Sequence, residues 1–150
     1  INPDCQVMTI MTGTTTDPAK GKESGTALIE QGADVVMHTC NSTGLGVIEA
    51  AKENEGVYII GYGTDQRDLA PDRVLSSFYT DTTGVIVKQV DRIESGEFGA
   101  LYRPTLLTGE VVFCEMSDFI PEDIRSQIED LRKKVESGEV VVEESFEPIN

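Results

Sequence analysis

Positive charge is scarce in this chain. Lys and Arg number 12 against 27 Asp and Glu, a formal net charge of −15 over 150 residues. A nucleic-acid binder needs a cationic footprint to neutralise phosphates, so the charge argues against that class. Docking on anionic lipid is disfavoured for the same reason. Long apolar runs are absent: none approaches the roughly 18 residues of a membrane-spanning helix, and stretches such as Val140-Val141-Val142 have strand length. Cysteine is sparse. Cys5, Cys40 and Cys114 are odd in number and far apart, which argues against a disulfide framework and for small, half-buried hydrophobes. Histidine occurs once. His38 and Cys40 form a His-x-Cys pair, which falls short of a closed metal site. A Ser/His/Asp triad would have to use His38, and the Gly-x-Ser-x-Gly elbow is missing. Also missing is any basic-then-apolar leader. The chain opens at Ile1 without Met, which reads as a start inside a longer protein.

What is present suffices for one soluble domain, with 39% hydrophobic and 26% charged residues. Charge is uneven. Residues 110–150 hold 12 acids and 4 bases, more than half of the net negative charge, as expected of a solvated face and a polar tail.

The pattern along the chain alternates. Residues 6–12 form a β-type run, with Val7, Ile10 and Met11 among threonines, ending at Gly13. Asp17 is a good N-cap and Pro18 a good first helical residue, so a helix starts there and runs to Gln31. Gly21, Ser24, Gly25 and Leu28 share one stripe, whose small members suit close packing against a sheet. Residues 33–38 read as a second strand, 44–54 as a second helix, 57–61 as a third strand and 74–79 as a fourth. Residues 82–95 read as a third helix, with Val85, Ile86, Val90 and Ile93 on one side. Thr108-Gly109 between 105–107 and 111–116 suggests a hairpin. Residues 121–137 carry Ile124, Ile128, Leu131 and Val135 at helical spacing, with acids at the start and bases at the end. A short strand at 140–142 precedes the tail.

This alternation predicts an α/β fold with a Rossmann-like parallel sheet flanked by helices. In such sheets ligands bind beyond the carboxyl ends of the strands. Four loops lie there: residues 13–17, 39–43, 62–65 and 80–82. All are rich in Thr, Ser, Asn and Asp, which suits a small polar ligand. Thr43-Gly44-Leu45-Gly46 opens a helix after a strand. The dinucleotide fingerprint needs a third small residue three positions after the second glycine, where Glu49 stands, so it fails. The two glycines either allow a tight turn and close helix packing or bare amides for a polar ligand. Asp17 is most simply a helix cap. Asp65 and Asp81 either bind ligand hydroxyl or amine groups or make turns. Tyr62 and Tyr79 end strands and fit core or rim packing better than ring stacking on a ligand.

Three segments carry a family resemblance: Asp17-Pro18-Ala19-Lys20-Gly21-Lys22-Glu23, Gln31-Gly32-Ala33-Asp34-Val35-Val36, and Ser42-Thr43-Gly44-Leu45-Gly46-Val47-Ile48-Glu49-Ala50-Ala51-Lys52-Glu53. Thr64-Asp65-Gln66, Leu75-Ser76-Ser77, Gly96-Glu97-Phe98 and Ser137-Gly138-Glu139 extend it, so that it runs from residue 2 to residue 142. The sequence resembles the basic-membrane-protein family, substrate-binding lipoproteins of ABC transporters that include purine-nucleoside receptors.

The resemblance implies a type I periplasmic-binding-protein fold, in which two lobes close on a ligand, here a purine, a nucleoside or another small polar solute. It implies the C-terminal half of such a protein, and binding without catalysis or a cofactor. The implied partners are a membrane permease, an ATPase and an N-terminal lobe outside this chain. The implied location is extracytoplasmic, with a lipid anchor on a segment not included here. A ligand-sensing or regulatory role on the same fold is the alternative. The helix at 82–95 would belong to the other lobe, so its apolar face is expected to pack on another chain, possible homo-oligomers included, or to fold back on this lobe.

Ligand positions carry over incompletely. Thr14 and Thr15 lie where nucleoside-binding members have Ser-Phe, so Thr15 replaces the stacking aromatic. Gly63 replaces a ribose-binding Asp, and Thr80 replaces a Lys. Asn41 and Ser42 replace Gly-Gly, and Asp65 is retained. With Thr43 and Asp81, these are the expected ligand contacts.

Overall fold

The structure is a computed structural model and describes residues 4–99 and 101–142. The first helix, α1, spans Pro18–Glu30. It starts where it does because the Asp17 carboxylate accepts the Ala19 and Lys20 amides at 3.0 and 3.3 Å, and because Pro18 needs no amide partner in the first turn. It ends at Gln31, where Gly32 adopts φ +99° and turns the chain into the first strand. That strand, β1, is Val35–Met37, followed by a 3-10 turn at Asn41–Thr43 and by α2, Gly44–Lys52. Next come β2, Tyr58–Tyr62, and β3, Val74–Thr80, joined by a loop with a 3-10 turn at Arg67–Leu69. Then follow α3, Thr82–Glu94; β4, Val111–Phe113; and α4, Glu122–Glu136.

The sheet order is β1-β2-β3-β4. β1, β2 and β3 are parallel, with Val36 beside Ile59 and Gly61 beside Ser77. β4 is antiparallel to β3, pairing Phe113 with Phe78 and Val111 with Thr80, so the sheet is mixed rather than all parallel.

The core lies on one face of this sheet. Val36, Ile59 and Val74 pack with Val47, Ile48 and Ala51 of α2 and with Val57 and Ala70. Ile48, Ile59 and Val74 are essentially sealed from water, each contributing about 1.5–3 kcal/mol through burial. The small residues of α1 serve a different contact from the one their spacing suggests. A Cβ on Gly21 would stand 1.8 Å from the Thr43 carbonyl oxygen, and one on Gly25 3.1 Å from the Ala50 Cβ. The close approach is therefore between α1 and the 3-10 turn with α2 that follows it, not between α1 and the sheet.

Three expected strands are not strands. Residues 6–12 have no neighbour in the sheet, and Val7, Ile10 and Met11 are exposed. A β-prone run becomes a strand only when another strand takes its amides and carbonyls. At 105–107 the expected hairpin arm is replaced by a closed turn. The Thr108 hydroxyl accepts the Thr105 amide at 2.8 Å, and the Thr105 hydroxyl accepts the Thr108 amide at 3.1 Å. Local hydroxyls thus satisfy the backbone that a strand would pair. Residues 111–113 pair with β3 instead. Val140, Val141 and Val142 form no strand, and the last two are largely exposed. The polar tail, residues 143–150, lies outside the described residues.

α3 does not fold back on the core. None of its residues is buried, and Ile86, Val87, Val90 and Ile93 are about half exposed. What holds it is polar. Lys88 pairs with the buried Glu110, and Arg92 lies over the Tyr102 ring at 5.2 Å. α4 likewise buries nothing fully, and Ile124, Ile128 and Leu131 remain exposed. Val35 and Met37 are exposed on the sheet face away from α2. No helix among the described residues is long and apolar enough to cross a membrane.

Candidate functional site: the strand-end loops

Three of the four polar loops are tied into one block by side chains at their bases. Thr43 is fully buried, and its hydroxyl accepts the Asp17 amide at 3.0 Å. Its own amide donates to the carbonyls of Thr15 and Cys40. Thr43 therefore joins residues 13–17 to residues 39–43 from below. Thr14 is half-buried, and its hydroxyl accepts the Thr16 amide at 3.3 Å.

The second tie has almost no signature in the sequence. His38, 4% exposed, meets the Gln66 side-chain oxygen through Nε2 at 2.9 Å. The same oxygen accepts the Tyr62 amide at 3.2 Å, and the Gln66 amide donates to the buried Ser77 hydroxyl at 3.0 Å. The ends of β1, β2 and β3 are thereby held together. Burial pushes the His38 ring below its ordinary pKa, against the Gln66 hydrogen bond, which pushes it up. The one sequence signal for this network is a Gln directly after Asp65.

Above these ties the loops face solvent. Thr15, Asn41, Ser42, Gly63, Asp65 and Thr80 are all exposed. Asn41 holds φ +50°, the only positive value for a non-glycine among the described residues. Asn tolerates this left-handed conformation better than most side chains, because its short amide can hydrogen-bond locally. Gly63 is at φ +93°, and its amide donates to the Phe78 carbonyl at 2.9 Å. An Asp there would be strained, so glycine suits this backbone.

Asp65 has a partner already. Both carboxylate oxygens take the Arg67 guanidinium, with Nη2 at 2.7 Å, and Oδ1 also accepts the Arg67 amide. The hydrogen bonds from Arg67 hold the carboxyl below its usual range. Asp81 caps α3, accepting the Gly84 amide at 3.0 Å, while its own amide donates to the Glu110 carbonyl at 2.7 Å. Thr80 precedes it at the end of β3. The fourth loop is thus anchored to the segment before β4 rather than to the other three.

The glycines at 44 and 46 serve packing. A Cβ on Gly44 would fall 2.1 Å from His38 Nδ1, and one on Gly46 1.8 Å from the Pro18 carbonyl oxygen. Tyr62 packs edge-on against Phe78 at 5.2 Å between ring centroids. All three cysteines are free thiols, with Cys40 and Cys114 half-buried. Among the described residues, no group of three or more His, Cys, Asp and Glu could hold a metal ion. A groove of about 490 Å³ opens away from the loops, and one of about 560 Å³ reaches them only at Asp65, beside Arg67; neither is lined by Thr14, Thr15, Asn41, Ser42, Thr80 or Asp81. The loop cluster is accordingly one open wall, rich in hydroxyl and amide groups.

This arrangement has known relatives. Residues 1–145 match the family model for Bmp, described as ABC transporter substrate-binding protein PnrA-like. The chain belongs to this family. It is 31% identical to basic membrane protein A of Borreliella afzelii over 97% of this chain and 47% of that protein. It is 26% identical to the CD4+ T-cell-stimulating antigen of Listeria monocytogenes over 96% of this chain and 45% of that one. Among solved structures it is similar to a transcriptional activator of the comK gene from Bacillus halodurans, with TM-score 0.71, 27% identity and coverage of 87% and 46%. It also resembles an ABC transporter solute-binding protein from Conexibacter woesei, with TM-score 0.65, 23% identity and coverage of 95% and 48%. The fold is therefore type I periplasmic-binding-protein-like, as expected from the resemblance. The chain spans about half the length of the relatives it matches.

Proposed function

We propose that this chain is one lobe of a substrate-binding protein serving an ABC transporter, and that its strand-end loops are one wall of the ligand cleft. The observation that supports this most is the family match over residues 1–145. The work is binding, with no bond made or broken. Thr15, Asn41, Ser42 and Thr80 offer hydroxyl and amide groups at the open rim, and Asp65 offers the carboxylate edge left free by Arg67. Thr14, Thr43, Gly63 and Asp81 shape the loops and contribute backbone groups. With no aromatic ring at position 15, hydrogen bonds rather than stacking dominate recognition of a purine, a nucleoside or a similar polar solute.

A second lobe of comparable length closes the cleft about a hinge and covers α3. The whole protein works outside the cytoplasm with a permease and an ATPase. NMR titration of the 150-residue chain with adenosine tests the ligand. Weak binding that shifts the amides of Asn41, Ser42 and Gly63 is expected, because half a cleft makes half the contacts. Unshifted loop amides at millimolar adenosine would rule out this ligand class for this lobe. The likeness to the comK activator favours a second reading, a ligand sensor without a transport role.

A further inference from the structure

His38 stands out as a buried titratable group at the base of the loops, and its protonation state follows from its partners. The Tyr62 amide can only donate, so the Gln66 atom it meets at 3.2 Å is the carbonyl oxygen. His38 Nε2, 2.9 Å from that oxygen, must then carry a hydrogen. Nδ1 is left as a bare acceptor, buried without a partner and pressed against Gly44, where even a methyl group would fall within 2.1 Å.

We propose that His38, as its neutral Nε2–H tautomer, is the positioning residue of this site: it sets residues 39–43 and 62–65 in their mutual places, and protonation of its ring releases them. Its purpose rests on the ligand reading above; its geometry does not. Among the described residues, a second proton on Nδ1 would meet no acceptor and its charge would have no counter-charge. The ring meets Gln66 and Gly44, both neutral, and Ser77, which accepts the Gln66 amide, is neutral as well. Cys40, two residues on, has its thiol pushed up by burial and stays protonated. Asp65 and Arg67, on either side of Gln66, are paired with each other. Burial accordingly lowers the ring's pKa.

The chain has one histidine, so its imidazole gives a single NMR signal. Amide-exchange protection of Tyr62 and Gln66, corrected for intrinsic rates, is measured from pH 7.5 to 5 in the ligand-free chain and in His38→Gln. The variant keeps a neutral N–H donor and cannot titrate. In the wild type, protection should hold near pH 7 and fall about tenfold per pH unit below roughly 6.5, the pKa of an open ring, until the closed ring titrates. In His38→Gln it should stay flat. Flat protection in the wild type, or an equal fall in both proteins, overturns the proposal. The wild-type profile decides alone should the variant not fold, with a flat profile overturning the proposal and a fall that tracks the imidazole signal supporting it. Adenosine binding is recorded in parallel at pH 7.5. Its absence would count against the ligand reading while leaving the loop result standing.

Discussion

Replacing Gly46 with alanine tests whether the α1–α2 contact governs the loop block. The new Cβ would lie 1.8 Å from the Pro18 carbonyl oxygen, 2.6 Å from the Lys22 nitrogen and 2.8 Å from the Pro18 carbonyl carbon. All three are backbone atoms of α1, so no rotamer change relieves the clash. The helix itself must retreat, by about 1.5 Å to regain ordinary contact. Overpacking of this kind costs about 1–3 kcal/mol, and an unyielding backbone puts the site at the upper end. The retreat also stretches the 3.0 Å bond from the Asp17 amide to the Thr43 hydroxyl, worth about 0.5–1.5 kcal/mol. Alanine returns about 1 kcal/mol through its better helix propensity.

The net expectation for Gly46→Ala is a loss of about 3 kcal/mol. At about 2–4 °C per kcal/mol for a chain of this size, Tm should fall by roughly 6–12 °C. Gly25→Ala is the internal control. Its Cβ would meet the Ala50 Cβ at 3.1 Å and the Val47 Cα at 3.3 Å, which a few tenths of an ångström relieve. It should stay within about 1 kcal/mol of wild type, because the propensity gain offsets the small clash. Thermal unfolding followed by circular dichroism measures both variants, and the Asp17 amide signal reports the loop bond. A Gly46→Ala protein as stable as wild type, or less affected than Gly25→Ala, would refute the reasoning.

Lys88→Met leaves Glu110 buried without its cation, so the segment between α3 and β4 should exchange amide hydrogens faster than in wild type. Burial raises the Glu110 carboxyl, but hydrogen bonds from Lys88, Thr108 and Tyr102 outweigh it and hold the pKa at about 2. The ionised contact therefore adds stability above the unfolded value near 4.5, and that stability is lost as pH falls from there towards 2. Unfolding of wild type and Lys88→Met at pH 7 and pH 3 checks the sign: the gap between them should be smaller at pH 3. For α3, sedimentation velocity on a dilution series should reveal self-association of the isolated chain. Ile86→Glu with Ile93→Glu should remove it, whereas a wild-type monomer at all concentrations would count against the stripe as an interface.

Elements written in local signals are legible in the sequence alone. Asp17-Pro18 set the start of α1, Gly32 set its end, and the spacing of Ile124, Ile128, Leu131 and Val135 marked α4, because a helix closes its hydrogen bonds within its own few turns. The motifs from Asp17 to Glu53 carried the family, and the strand-end rule located the polar loops. Tertiary structure decided the rest. Residues 6–12, 105–107 and 140–142 have strand composition, yet a strand exists only with a partner, and β3 took residues 111–113 instead. Gly21 and Gly25 signalled close packing and were read as facing a sheet, but the surface they meet is the 3-10 turn at Thr43 and α2. His38 and Gln66 lie 28 residues apart, and nothing local in the sequence joins them. Only the parallel pairing of β1, β2 and β3 brings the ring, the amide and the Ser77 hydroxyl to one point beneath the loops.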